Sequence, residues 1–66
     1  MTAKLFLCRD QDGGIILIED TIKPVLLDGG YWWPAAEGQV IHLSAGIQLP
    51  AIDVGECFEV VIVRKD

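Results

Sequence analysis

Glycine, proline and small aspartate-containing clusters interrupt this chain roughly every 8 to 12 residues, and no apolar stripe of period 3.6 outlasts about two helical turns between them. Such punctuation leaves little room for a helical core and ample room for short strands joined by tight turns. The pattern predicts an all-β fold, a small five- to six-stranded barrel or sandwich. At 66 residues the chain has length for a single domain, spanning 1–66.

Read in order, residues 3–9 and 15–20 are rich in Leu, Ile and Phe and flank Asp10-Gln11-Asp12-Gly13-Gly14, which predicts a β-hairpin. Residues 21–27 read as a strand in which Pro24, lacking an N–H, belongs at an edge or bend; a short helix capped by Asp20 or Thr21 is the weaker alternative. Asp28-Gly29-Gly30 ends that segment as a turn. Tyr31-Trp32-Trp33 reads as an aromatic strand stopped by Pro34, and Ala35-Ala36-Glu37-Gly38 turns the chain into residues 39–43, a second expected hairpin. Ser44-Ala45-Gly46 and Leu49-Pro50-Ala51 interrupt again, and residues 56–64 form the last and longest expected strand. A device of proline, aliphatic residues, turn glycine and aromatic strand occurs twice, at Pro24 to Trp32 and at Pro50 to Phe58.

A half-exposed strand alternates apolar and polar residues because successive side chains point to opposite faces. Leu5 to Cys8, Ile15 to Ile18 and Val60 to Val63 do not alternate. At about 25 cal/mol/Å² the apolar surface so short a chain buries only offsets the entropy of ordering it, so a disulfide, a metal or a second subunit is expected to contribute. Both arguments predict a homo-oligomer, with Ile16, Ile18, Val61 and Val63 as candidate interface residues. The competing expectation is that bulges and curvature absorb the surplus apolar residues within one subunit.

Ten acidic residues against five basic ones give a net charge of −5, which repels a phosphate backbone, so no direct contact with nucleic acid is expected. The longest aliphatic runs are four residues, far below the roughly 20 that cross a bilayer, and no cationic, apolar signal segment opens the sequence. A cytoplasmic protein without a membrane partner is the expectation. Cys8 and Cys57 then read as buried reduced thiols, close enough to bridge only if the first and last strands pair.

The residues offer little chemistry. A zinc site from Cys8, Cys57 and His42 lacks paired-ligand spacing and a fourth ligand, and the same three residues make a weak nucleophile constellation. Asp10 to Gly14 begins like a calcium loop, but its twelfth position is Thr21 where a bidentate Glu is needed. Glu19 and Asp20 are adjacent on a strand and face opposite sides, and Ser44 is the only serine. No catalytic residue, metal or cofactor is expected, and the protein reads as non-enzymatic.

Tyr31, Trp32 and Trp33 carry the most functional information. Neighbours on a strand point opposite ways, so at least one large ring is left outside the core, to seal an interface or to offer a flat platform. The stretch from Asp28 to Trp33, followed by Glu37-Gly38, resembles SH3 domains, in which a Trp pair follows an acidic turn and precedes a turn glycine. The resemblance covers about a dozen residues; no ALYDY-type segment precedes it and no SNYV-type segment follows. It implies an SH3-like barrel as the leading topology, with Trp32 lining a groove for proline-rich peptides. Tyr31, Trp32, Trp33, Asp28 and Glu37 are therefore candidate ligand-binding residues, with a basic polyproline peptide as partner. The function expected first is a structural or accessory module acting through homo-oligomeric assembly. A peptide- or small-ligand-binding module follows, and then an acidic inhibitor of a nucleic-acid-binding protein.

Overall fold

A computed structural model of the chain describes residues 2–43, 49 and 51–63. Six strands are present: β1 (Lys4–Arg9), β2 (Ile15–Asp20), β3 (Val25–Leu26), β4 (Trp32–Trp33), β5 (Gln39–His42) and β6 (Cys57–Val60). Four form an antiparallel sheet in the order β5-β2-β1-β6, and β3 pairs with β4 as a separate two-stranded hairpin. The all-β expectation holds. A closed barrel does not form among the described residues: β5 and β6 are the sheet's open edges, and neither pairs with the hairpin.

The first hairpin lies where the sequence places it. The N–H of Asp10 donates to the Gly14 carbonyl and that of Gly13 to the Asp10 carbonyl, closing a three-residue loop that aligns Arg9 with Ile15 and Cys8 with Ile16. The β3–β4 connection repeats this bonding pattern, with Leu27 N–H donating to the Tyr31 carbonyl and Gly30 N–H to the Leu27 carbonyl. The echo noted in the sequence survives at its turns. Gly29 and Gly55 both have positive φ, at 96° and 85°, in turns closed by Gly30 N–H to the Leu27 carbonyl and by Glu56 N–H to the Asp53 carbonyl.

Register assigns the faces. Phe6, Cys8, Ile16 and Ile18 point to one side of the sheet, where they pack with Trp32 of β4 into the core, flanked by Val40 and Cys57. Leu5, Leu7, Ile15 and Leu17 therefore point to the other side.

Two buried aspartates hold the hairpin on the core face. Asp10 continues from β1, and its Oδ1 accepts the backbone N–H of Trp32 at 2.9 Å. Asp20 ends β2, and its two carboxylate oxygens accept the N–H groups of Thr21 (2.7 Å) and Ala36 (2.9 Å). Asp20 also explains two departures from expectation. By accepting the amide of the residue that follows it, the carboxylate turns the chain away from β2, so the segment after Asp20 is strand only at Val25–Leu26. By holding Ala36 it fixes residues 34–38 at the end of β2, and β5 pairs with β2 (Glu19 with Gln39) instead of forming a hairpin with β4. Gly38 sits so close there that a Cβ would collide with the Glu19 carbonyl oxygen.

The last strand is shorter than expected. β6 runs back along β1, and at Val60 it reaches Leu5, one residue from the start of β1; Val61, Ile62 and Val63 lie beyond the ladder and are exposed. The interruption expected at Ser44-Ala45-Gly46, the proline of the second echo at Pro50 and the end of the last expected strand at Arg64 lie outside the described residues.

The backbone N–H of Ala36, the largest influence, holds the Asp20 carboxyl below its ordinary value of 3.8, with Thr21, Gly38 and Ala35 amides adding to it and burial opposing them. A carboxyl lowered by folding stabilises the fold fully above its unfolded value, and that contribution is lost as pH falls through the lowered native value. Asp20→Asn is therefore expected to lower the urea midpoint by a constant amount above about pH 5, with the gap to the parent protein closing below about pH 4. Urea titrations across that range, followed by tryptophan fluorescence, measure it.

Candidate functional site

The second face of the sheet carries an apolar row that only the pairing register discloses. Leu17 is opposite Ile41, Leu7 is opposite Leu17, and Phe58 is opposite Leu7, so Ile41, Leu17, Leu7 and Phe58 form one line across all four strands. Leu5 and Val60 form a second pair beside it. Arg9 shares this face, and its Nη1 donates to the carbonyl of buried Ile52 at 2.9 Å. The segment leading into the Asp53–Glu56 turn is thereby drawn over one end of the face, and Leu7 is only 2 % exposed. The ends of the row stay open, with Ile41 at 46 % and Phe58 at 36 %. The protein measures 15 Å in its shortest dimension. Packed layers stand about 10 Å apart, so this thickness suits a sheet fully covered on one face and covered only in part on the other.

Beyond the end of β6 the chain is apolar and open. Val61 and Val63, two of the expected interface residues, are each 78 % exposed, with Ile62 between them similarly open. An open cleft of about 460 Å³ lies where Lys4 and Leu5 meet Val60, Val61 and Ile62. The other two expected interface residues are placed differently: Ile16 and Ile18 are buried in the core beneath Trp32 and present no surface. The residues of β2 that do face outward are Ile15, Leu17 and Glu19, one register step away.

A second surface is the outer side of the β3–β4 hairpin. Val25 pairs with Trp33, and Leu27 exchanges a backbone bond with Tyr31, so Val25, Leu27, Tyr31 and Trp33 share one face, each between 45 % and 57 % exposed. Trp32 points the other way into the core, which removes it from the candidate binding residues. The groove-lining position implied by the SH3 resemblance is thus filled by a core ring. Its indole Nε1, buried, has no hydrogen-bond partner among the described residues. Asp28 lies in the loop between Leu27 and Tyr31, on the platform's edge; Glu37 lies in the loop held by Asp20 and has a left-handed backbone, φ 61°.

The remaining polar candidates are spent on structure. Asp12 Oδ1 accepts the N–H of Gly14 at 2.8 Å and Asp10 accepts Trp32, so the calcium-like run in the first turn serves backbone amides. His42, Ile16, Cys8 and Cys57 form one cross-strand row. That order puts His42 two strands from Cys8, on the order of 10 Å away and too far for a shared metal. No group of three metal-binding side chains occurs among the described residues, and no helix there is long and apolar enough to cross a membrane. Comparison of the chain with protein-family models, curated proteins and solved structures returns no match.

The sequence identified the aromatic cluster but missed Val25 and Leu27 as its partners, and it missed Leu17, Ile41 and Phe58 altogether. Both omissions concern residues made neighbours by strand pairing, for which a single sequence carries no signal.

The two tryptophans are expected to separate cleanly. Removing a buried aromatic costs about 3–5 kcal/mol, comparable to the whole stability of a domain this small, so Trp32→Ala unfolds the protein. Trp33→Ala is expected to shift the thermal midpoint by only a few degrees. Circular dichroism melts of the two variants provide the comparison.

Proposed function

We propose that the protein is a non-enzymatic interaction module that assembles with copies of itself through the second face of its sheet. The observation that carries this reading is the row Ile41–Leu17–Leu7–Phe58, open at both ends and flanked by the pair Leu5–Val60. The accessible surface supports it. A folded monomer of 7.2 kDa has about 4,100 Å², whereas this chain exposes 4926 Å². The excess, roughly 800 Å², is about what one partner contributes to a standard interface. A second copy is a fitting occupant because the row itself is uncharged and is flanked by Arg9 on one side and Glu19 on the other, so a self-complementary contact brings no net charge together.

A second reading rests on the hairpin's outer face. Two aromatics and two aliphatics in cross-strand register, with Asp28 at the edge, suit an extended polyproline peptide that carries a basic residue. Loss of such a peptide's binding in a folded, still-assembled Trp33→Ala variant would favour it; unchanged binding would dismiss it.

Self-assembly is tested by mass. Light scattering and sedimentation at high micromolar concentration are expected to give at least twice 7.2 kDa. The double variant Ile41→Lys, Phe58→Lys, at the two open ends of the row, is expected to return the mass to the single chain while keeping its strand signal in circular dichroism. A monomer in the parent protein at that concentration refutes the proposal.

A further inference from the structure

The two cysteines belong to neither surface. Cys8 and Cys57 are direct cross-strand partners on β1 and β6, and both lie on the core face, Cys8 fully buried and Cys57 half-buried. The surrounding hydrogen bonds establish what kind of pair they are. Arg9 N–H donates to the Glu56 carbonyl at 3.1 Å, and the Arg9 carbonyl accepts the N–H of Gly55 at 3.0 Å. Gly55, at φ 85°, and Glu56 together oppose Arg9, which is the geometry of a bulge with glycine in its first position. Arg9 thus spends both backbone groups on β6. Successive residues of an antiparallel strand bond to opposite neighbours, so Cys8 spends its own on β2, and Cys8–Cys57 is a non-hydrogen-bonded pair. Side chains approach most closely at such pairs, whose Cα atoms stand about 4.5 Å apart, within the span a disulfide bridges. The two Sγ atoms face each other at 2.7 Å as free thiols.

We propose that Cys8 and Cys57 are a redox pair, closing a reversible intrachain disulfide that locks the edge strand β6 to the centre of the sheet, with a low-molecular-weight disulfide as the oxidant. The exchange proceeds in two displacements. The Cys57 thiol, the more accessible, loses its proton and attacks one sulfur of the oxidant, forming a mixed disulfide and expelling one small thiol. The Cys8 thiol then loses its proton and attacks Cys57 Sγ, forming the intrachain bond and expelling the second small thiol. Two electrons pass from the protein pair to the oxidant disulfide, which leaves as two thiols. Burial pushes both cysteine thiols above their ordinary value, which lowers the thiolate fraction and makes the exchange slow near neutral pH; Cys8, fully buried beside Cys57, meets the oxidant only through its neighbour.

The bond would close a loop between residues separated by 49 positions and restrict the unfolded chain accordingly. It would also hold β6, which is paired on one side only and by four residues. The proposal is independent of self-assembly, since the cysteines and the apolar row occupy opposite faces.

The test equilibrates the full chain in glutathione buffers of graded oxidised-to-reduced ratio, quenches by alkylation and reads intact mass. The expected product is a single chain lighter by two hydrogens that takes up no alkylating agent. Its equilibrium with glutathione should favour the disulfide on the order of 100-fold more in the folded chain than in urea. The oxidised protein should melt about 10 °C or more above the reduced one. Cys57→Ser should abolish the mass change and the gain in melting temperature, and Cys57→Ala serves the same purpose if the serine variant does not fold. Two alkylatable thiols in a folded chain under the most oxidising buffer would overturn the proposal. So would equal formation in urea, or a bond that forms only between chains.

Discussion

The structure depends on two carboxylates that have left water. Asp10 and Asp20 stand at opposite ends of the first hairpin, both on the face that carries Phe6, Cys8, Ile16 and Ile18, and each accepts a backbone N–H from the segment that covers that face. A hairpin with two paired residues per strand is too short to hold itself in place. Bonded at Trp32 by one carboxylate and at Ala36 by the other, it becomes a lid, and Trp32 becomes the ring that fills the space beneath it. Charge-assisted bonds of this type are short and directional, which makes them suited to fixing position where apolar contact alone would allow sliding. Gln11 adds a backbone bond to the Gly30 carbonyl at the Asp10 end.

Much of the fold was legible because local chemistry decided it. The first hairpin follows from aliphatic runs around Asp-Gln-Asp-Gly-Gly, and its strands end where the sequence says they should. The alternation of Tyr31, Trp32 and Trp33 was legible as a choice between two arrangements; what selected between them was Asp10 reaching Trp32 N–H across 22 positions, which no local pattern records. The pairing of β5 with β2 has the same origin in Asp20, whose partner at Ala36 lies 16 positions away. The apolar excess was visible as a quantity and misplaced as an address. Ile16 and Ile18 were expected at a surface, yet a shift of one position along β2 exchanges the buried set for Leu17 and its neighbours, and nothing in an unbroken Ile-Ile-Leu-Ile run marks which set faces in. The length of the last strand was overestimated because a strand extends only as far as its partner, and β1 begins at Lys4.

The same geometry separates the protein's two apolar surfaces. The row on the sheet is made by four strands and is rigid to the extent that the sheet is; the Tyr31–Trp33 platform is made by a short hairpin whose position derives from the carboxylates beneath it. A face built on the larger element suits a broad contact with another folded body, whereas a small aromatic ledge suits a narrow ligand. An open sheet also has edges, and among the described residues β5 and β6 carry them with little cover. Stacking by faces would leave those edges free, with Ile41 and Phe58 at opposite borders of the contact.

Strand β6 is where these features meet, since alternate residues of one short strand serve opposite sides. Cys57 turns toward the core and Cys8, while Phe58 turns to the outer row opposite Leu7, and Val60 follows it opposite Leu5. Any slip of β6 by a single residue would move Phe58 into the core and expose the thiol. The bulge at Gly55 and Glu56 opposes such a slip, because both bonds to Arg9 must break before the strand can move. A covalent link at the adjacent pair would remove the remaining freedom and pin the outer row from behind without adding an atom to it. The apolar face and the thiol pair thus draw on a single structural requirement, the fixed register of β6 against β1, and a change that loosens that register should be felt at both.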